Sequence, residues 1–265
     1  MSGILSAGLR LTNRALALLG LRLQHLPAPT RSFGDFLQLL KHRGIDVATV
    51  VDVGVAHGTP SLYRAFPAAR FVLVEPVTEN KANLERAMRG FDHELIWAAA
   101  GAVNGTAIIN VHNDLSGSSL LRQAEGTGAD GTPRSIPMVR LDGVLGKPPA
   151  RPCLVKIDTQ GTELEVVAGL GDRLRDVDVF IVETSMFRFR QGAAEIADVV
   201  IGFQQLGFVI YDILEGHMRA LDGALAQVDL VFVPADSPLR NDPRFFSEEQ
   251  LQSYQAKWAG TARKP

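Results

Sequence analysis

Short, almost wholly apolar runs alternate with helix-length amphipathic stretches along this chain, and that alternation most restricts its fold. Thr49-Val-Val-Asp-Val53, Phe71-Val-Leu-Val74, Leu154-Val-Lys-Ile157 and Val177–Val182 are too short for helices, and too apolar for strands with one wet face. They read as strands of a parallel sheet covered on both sides, because parallel neighbours need a crossover that returns over a face. Glu94–Ala98 reads as a further strand, and Phe208–Leu214 with Gln227–Val233 as a closing antiparallel pair joined through Gly216 and Gly223. The expectation is an α/β fold with a seven-stranded, mostly parallel sheet. Helical stretches are expected at Ser32–Arg43, Pro60–Phe66 (capped by Thr59), behind a Thr162-x-x-Glu165 capping box, and at Ala193–Leu206. Leu84, Ala87, Met88 and Phe91 share one helical face. Asn104-Gly105 predicts a hairpin between Ala98–Val103 and Thr106–His112.

The rest of the chain falls into flanking pieces. Residues 1–44 read as an N-terminal helical extension, 45–235 as the main domain and 236–265 as a tail with a short helix near Ser247–Trp258. Arg10, Arg14 and Arg22 interrupt the leucine-rich stretch 1–26, so it falls short of the ~18 apolar residues of a membrane span. It is expected to pack on the domain, the alternative being an amphipathic arm that touches a membrane surface or a partner. Residues 113–135 are rich in glycine and serine without periodicity, and are expected to form a lid loop over a substrate. With 27 Lys and Arg against 29 Asp and Glu the chain lacks the basic surplus of a nucleic-acid binder. Its one cysteine, Cys153, points to a reducing, cytoplasmic setting without disulfides.

In such sheets ligands bind beyond the carboxyl ends of the strands, where the strand order reverses. The first apolar run is followed by Asp52-Val-Gly54-Val-Ala-His-Gly58, and the second ends in Glu75, 21 residues past Gly54. Glycines there let a ligand approach the backbone, and the carboxylate can accept both hydroxyls of a ribose, which together indicate a nucleoside-containing cofactor. The glycine pattern is not the G-x-G-x-x-G of dinucleotide binders, and Asp52 would repel a pyrophosphate. Asp52 suits the ammonium of an amino-acid moiety, as in S-adenosylmethionine.

The run Val51–Gly58, Val74-Glu-Pro76, Val139-Arg-Leu-Asp142, Ile181-Val-Glu-Thr184 and above all Lys156-Ile-Asp-Thr-Gln-Gly-Thr-Glu163 resemble the FkbM family of S-adenosylmethionine-dependent methyltransferases, over roughly half the chain. The resemblance implies a seven-stranded Rossmann-like class I methyltransferase sheet with helices on both faces and O-methylation of a hydroxyl on a sugar, glycan or small metabolite. It assigns Asp52, Gly54 and Gly58 to the methionine part, Glu75 to the ribose and Ala99 to the adenine pocket. The chain departs from the family pattern at His57 and at Thr159-Gln160, where Val-Glu is common.

Methyl transfer from a sulfonium needs an acceptor held in line and, for a hydroxyl, a base. Asp158 is the first candidate and Glu183 the second; two acids are few for a metal, and none is expected. Glu163 is assigned to the first turn of the following helix. His112, Asp114, Ser118, Ser119 and Arg188 are candidates for holding the acceptor. A nicotinamide-dependent oxidoreductase, or an inactive nucleoside-binding subunit of a glycan-assembly system, are the rival readings.

Overall fold

The apolar runs pair side by side in a computed structural model that describes residues 30–124 and 130–259. The elements, in chain order, are α1 (Phe33–His42), β1 (Thr49–Val53), α2 (Pro60–Ala65), β2 (Arg70–Val74), α3 (Lys81–Ala87), β3 (Asp92–Ile96), β4 (Ala99–Ala100), β5 (Gly105–Val111) and β6 (Thr132–Val139). Then come α4 (Leu141–Leu145), β7 (Cys153–Ile157), α5 (Glu163–Ala168), β8 (Val179–Ser185), α6 (Ile196–Gln205), β9 (Phe208–Met218), β10 (Leu225–Pro234) and α7 (Glu248–Ala259). Seven strands form one sheet in the order β3-β2-β1-β7-β8-β10-β9. All are parallel except β10, which runs against both β8 and β9. The order reverses between β1 and β7, so a crevice must open beyond their carboxyl ends.

Every residue of β1 and β7 is buried, as their composition requires. One face of the sheet packs Phe36, Leu40, Leu62, Tyr63, Leu84 and Met88 from α1, α2 and the α3 region. The other packs Val166, Val199 and Phe203 from α5 and α6. Ser32 caps α1 by accepting from Asp35 N at 3.1 Å.

Four expectations of local structure fail, each for a physical reason. The Asn104-Gly105 hairpin does not form: β6 lies between β4 and β5, parallel to the first and antiparallel to the second. Pro133 and Pro137 concealed β6, because proline removes a ladder donor. They are tolerated because β4 pairs only with Met138 and Val139, leaving the rest of that edge without a partner strand. The expected loop 113–135 therefore ends early, at Thr132. The Thr162-Glu165 box is absent, since Glu163 turns back onto the preceding loop; the chain's capping box is Glu195 with Asp198, on α6. Thr59 makes no capping bond, its hydroxyl being turned to Asp52, although Pro60 does occupy the first helical turn. The expected N-terminal helix in 1–26 lies outside the described residues. Among those described, no helix is long and apolar enough to cross a membrane.

Phe203 is fully buried, stacked on Phe232 at 4.1 Å between centroids and edge-on to Phe180 at 5.1 Å. Phe203→Ala is expected to cost about 3–5 kcal/mol of stability, measured by denaturant unfolding.

Candidate functional site

The crevice predicted by the strand order is a cleft of about 500 Å³ at the ends of β1, β2 and β7. Gly54 opens it at a φ of +74°. A Cβ there would lie 1.8 Å from the carbonyl oxygen of Asp158, so only glycine lets the loop after β1 cross the loop after β7. Glu75, buried, accepts from Ala56 N at 2.8 Å on one oxygen and from Val77 N at 2.7 Å on the other. Burial pushes its pKa up, and these two N–H groups oppose the rise. Ala99, Val77, Ile109, Leu115 and Leu120 supply apolar walls, while Ser118 and Asp158 stand among the polar lining.

Three described residues other than glycine adopt a positive φ, namely Ala56, Leu115 and Gln160, and all three line this cleft. Such conformations cost about 1–3 kcal/mol each and persist where the surroundings impose them. Glu163 imposes one. It is 4% exposed, and its Oε1 accepts from Thr159 N, Thr159 Oγ1 and Gly161 N at 3.2, 3.1 and 2.9 Å, which locks the turn around Gln160.

On the α1–α3 face of the sheet a row of ionisable groups leads away from the cleft. Lys156, opposite Asp52 in the β1–β7 register, places its Nζ 3.4 Å from Asp158 Oδ2 and 4.0 Å from Asp52 Oδ1. Burial alone would pull the ammonium's pKa down, but the carboxylates of Asp158 and Asp52 outweigh it and the pKa is raised. Tyr63 donates to Asp52 Oδ2 at 2.9 Å. Glu183 faces Asp229 across the β8–β10 pair. Burial, then the negative charge of Asp158, push Glu183 up to about 9, so it is protonated at neutral pH. Burial likewise raises Asp229 to about 6. Among the described residues no three His, Cys, Asp or Glu side chains are grouped to hold a metal ion.

A second cleft, of about 750 Å³, adjoins the first. It is lined by Gln123, Gln160, Gly161, Ser185, Phe189, Arg190 and Gln227, among others, and Gln160 belongs to both clefts. Gln160 Nε2 donates to Asp158 Oδ1 at 3.0 Å and to Glu183 Oε2 at 2.7 Å, and Gln227 Nε2 donates to the same Glu183 oxygen at 2.7 Å. The backbone oxygen of Gln160 accepts from the Ser119 hydroxyl at 2.9 Å.

Of the residues singled out from sequence, Gly54, Glu75, Ala99, Ser118, Ser119 and Asp158 converge on the first cleft. Ser118 and Ser119 therefore sit beside the residues assigned to the cofactor, because bridges from Asn110 to Ser119 fold their segment back over it. Glu183 lies behind, hydrogen-bonded to Gln160 and Gln227. Asp52 and Gly58 do not line the cleft. Asp52 is fully buried against Tyr63 and Lys156, and Gly58 turns the chain at a φ of +100° where a Cβ would meet Tyr63 and Leu84. Asp114 is exposed and closes its own turn by accepting from Gly117 N at 2.9 Å, with the His112 ring 3.1 Å away. Arg188 is exposed beside Ala193 O and Asp198. The arginine of the Met186–Arg190 stretch that turns inward is Arg190. Gln160, Gln227 and Lys156 were given no role of their own from the sequence.

A family model described as the methyltransferase FkbM domain matches residues 52–210. No curated protein matches the chain. Similar solved structures include the Burkholderia thailandensis 1,6-didemethyltoxoflavin-N1-methyltransferase with bound 1,6-didemethyltoxoflavin and S-adenosylhomocysteine, at 11% identity and a TM-score of 0.42, covering 77% of this chain and 76% of that one. The Geobacter metallireducens precorrin-6y C5,15-methyltransferase matches at 11% identity and a TM-score of 0.41, over 76% and 86% of the two chains. The M. jannaschii TYW2 complex with AdoMet matches at 12% identity and 0.39, over 77% of each.

The raised pKa of Glu183 has a signed consequence. Below about 4.5 the carboxyl is protonated folded and unfolded; as pH climbs from there to about 9, only the unfolded chain ionises, so stability is lost across that window. Glu183→Gln keeps the shape and removes the titration. Its melting temperature should rise relative to wild type between pH 5 and pH 9 in thermal melts, and a constant difference would show that Glu183 ionises normally.

Proposed function

This chain belongs to the FkbM methyltransferase family, and from that premise we propose that it carries a methyl group from S-adenosylmethionine to a hydroxyl oxygen of a sugar, glycan or small-metabolite acceptor. The observation that carries the reading is that Asp158 lines the first cleft and is hydrogen-bonded at 3.0 Å to Gln160, the residue this cleft shares with the second. That first cleft fits the cofactor. Glu75 Oε1 accepts from Val77 N and Asn80 Nδ2, while Oε2 accepts only from Ala56 N and keeps a lone pair for a ribose hydroxyl. Ala99, Val77 and Ile109 make an apolar slot for a flat base. The nicotinamide alternative has no support in the family.

When bound, S-adenosylmethionine supplies a methyl group already activated on a sulfonium. The chain's own task is then to hold an acceptor in line, exclude water and remove one proton. Asp158 is the group placed for the last of these. Its Oδ1 is oriented by Gln160 at 3.0 Å and its Oδ2 by Lys156 at 3.4 Å. Glu183, protonated at neutral pH, adds no second negative charge there. Asp52 acts through Lys156, which it helps to hold charged in the core.

Calorimetry with S-adenosylhomocysteine tests the cofactor assignment: Glu75→Ala should weaken binding by roughly 1.5–3 kcal/mol through lost charge-assisted hydrogen bonds. Glu75→Gln should fall between, and thermal melts separate this from loosening of the Ala56 and Val77 loops. For the base, Asp158→Asn should lower methyl transfer to a hydroxylated acceptor roughly 100-fold or more while leaving S-adenosylhomocysteine affinity within about twofold. Unchanged transfer would remove Asp158 from that role.

A further inference from the structure

Arg190 is a buried cation without a carboxylate partner among the described residues. It is 9% exposed, lines the second cleft, and has no carboxylate oxygen within the 4.0 Å of an ion pair among the described residues. Its contacts are neutral: Nη2 donates to Gly117 O and to Gln160 Oε1, both at 3.0 Å, and Nη1 reaches the amide oxygen of Gln123 at 2.7 Å once that amide is turned to satisfy both its ends. Glu163, Glu183 and Asp114 act on it only at longer range. Of these, Glu163 is engaged with three donors of the loop it closes and Asp114 with its own turn. A guanidinium has five N–H donors, of which these contacts account for three. Buried charge is ordinarily paired, since desolvation is expensive and only an opposite charge compensates it well. Lys156 obeys that rule with two carboxylates; Arg190 breaks it, at the wall of an open cleft.

We propose that the second cleft receives the acceptor and that Arg190 is an anion subsite within it, so that the molecule methylated carries a carboxylate or phosphate group besides its reacting hydroxyl. This rests on the hydroxyl-methylation reading for the reaction and adds to it the charge of the substrate. Phe189 lines the same cleft and gives a ring face for a sugar or other cyclic body, while Gln227 and Ser185 offer neutral hydrogen-bonding groups. The anion would pair with the two remaining donors and complete the charge balance that the fold leaves open. Two sources share this chemistry, a uronate-type carboxylate and a phosphate ester, and they differ in charge and size.

The test uses protein saturated with S-adenosylhomocysteine and three probes, glucuronate, glucose 6-phosphate and methyl glucoside, with binding read by saturation-transfer NMR. At least one anionic probe should bind about tenfold or more tightly than the neutral glycoside, as expected of a charge-assisted bidentate contact. The better of the two identifies the source. Gln160→Glu, which places a carboxylate beside the guanidinium without removing its other bonds, should abolish the preference. Arg190→Met should do the same, with melting temperature and S-adenosylhomocysteine affinity as controls for folding, and Arg188→Ala should leave it intact. Equal binding of the neutral and anionic probes, binding of none of them, or a preference that survives Gln160→Glu would each overturn the proposal. A failure of the reaction reading looks different: anions bind as expected, yet with S-adenosylmethionine in place of S-adenosylhomocysteine no hydroxyl of a bound anionic probe is methylated.

Discussion

The buried ammonium of Lys156 is the constraint around which the site is organised. It stands on the central strand of the sheet, beside the strand-order reversal, in a layer otherwise filled by valine, leucine and phenylalanine. A charge there is tenable only with opposite charges beside it, and the sequence provides Asp52 across the β1–β7 register and Asp158 two residues on. This dictates further choices. Asp52 keeps one oxygen on the Tyr63 hydroxyl, which fixes α2 against β1, and Asp158 is held at the mouth of the crevice instead of turning out to solvent. Burial first, and then the nearby Asp158 carboxylate, hold the pKa of Glu183 up, and its Oε2 accepts from two glutamine amides.

The sheet was legible in the sequence because burial on both faces leaves a plain record. A run such as Thr49–Val53 has few other uses, and strand ends follow from it, so Gly54, Glu75 and Asp158 could be placed at one crevice before any coordinates. Legibility failed where position depends on pairing across long separations. β6 carries two prolines and reads as loop; its register is set by β5, some 27 residues earlier, and by the two-residue β4. The position of Ser118 and Ser119 on the same cleft as Glu75 and Ala99 was not legible, because nothing local announces the Asn110–Ser119 bridge. The position of Asp52 off the cleft was hidden for another reason. A strand-end carboxylate in sequence looks like a ligand group, and only the register shows that a lysine lies beside it.

Backbone strain marks the same place by a separate route. Ala56, Leu115 and Gln160 come from three distant segments, yet each bends into the left-handed region at the one cleft. Glycine would adopt those angles at lower cost, and the chain uses glycine for this at Gly54 and Gly58 nearby. Retaining side chains at these three points is consistent with walls whose atoms are needed: Leu115 packs with the apolar cluster beneath the small sheet, and the Gln160 amide ties together three charged or titratable groups.

The amide at position 160 also links the two halves of the site electrically. A glutamate there, as the family pattern often has, would stand about where Gln160 now donates to Asp158 and Glu183, so a third carboxyl would crowd a pair that already cannot both ionise. It would also offer Arg190 a carboxylate at the 3.0 Å now spanned by an amide oxygen. Glutamine relieves the first conflict by donating to both acids, and it meets the arginine with an amide oxygen instead of a charge. Asp158 on one side and Arg190 on the other thus share one neutral side chain placed between them.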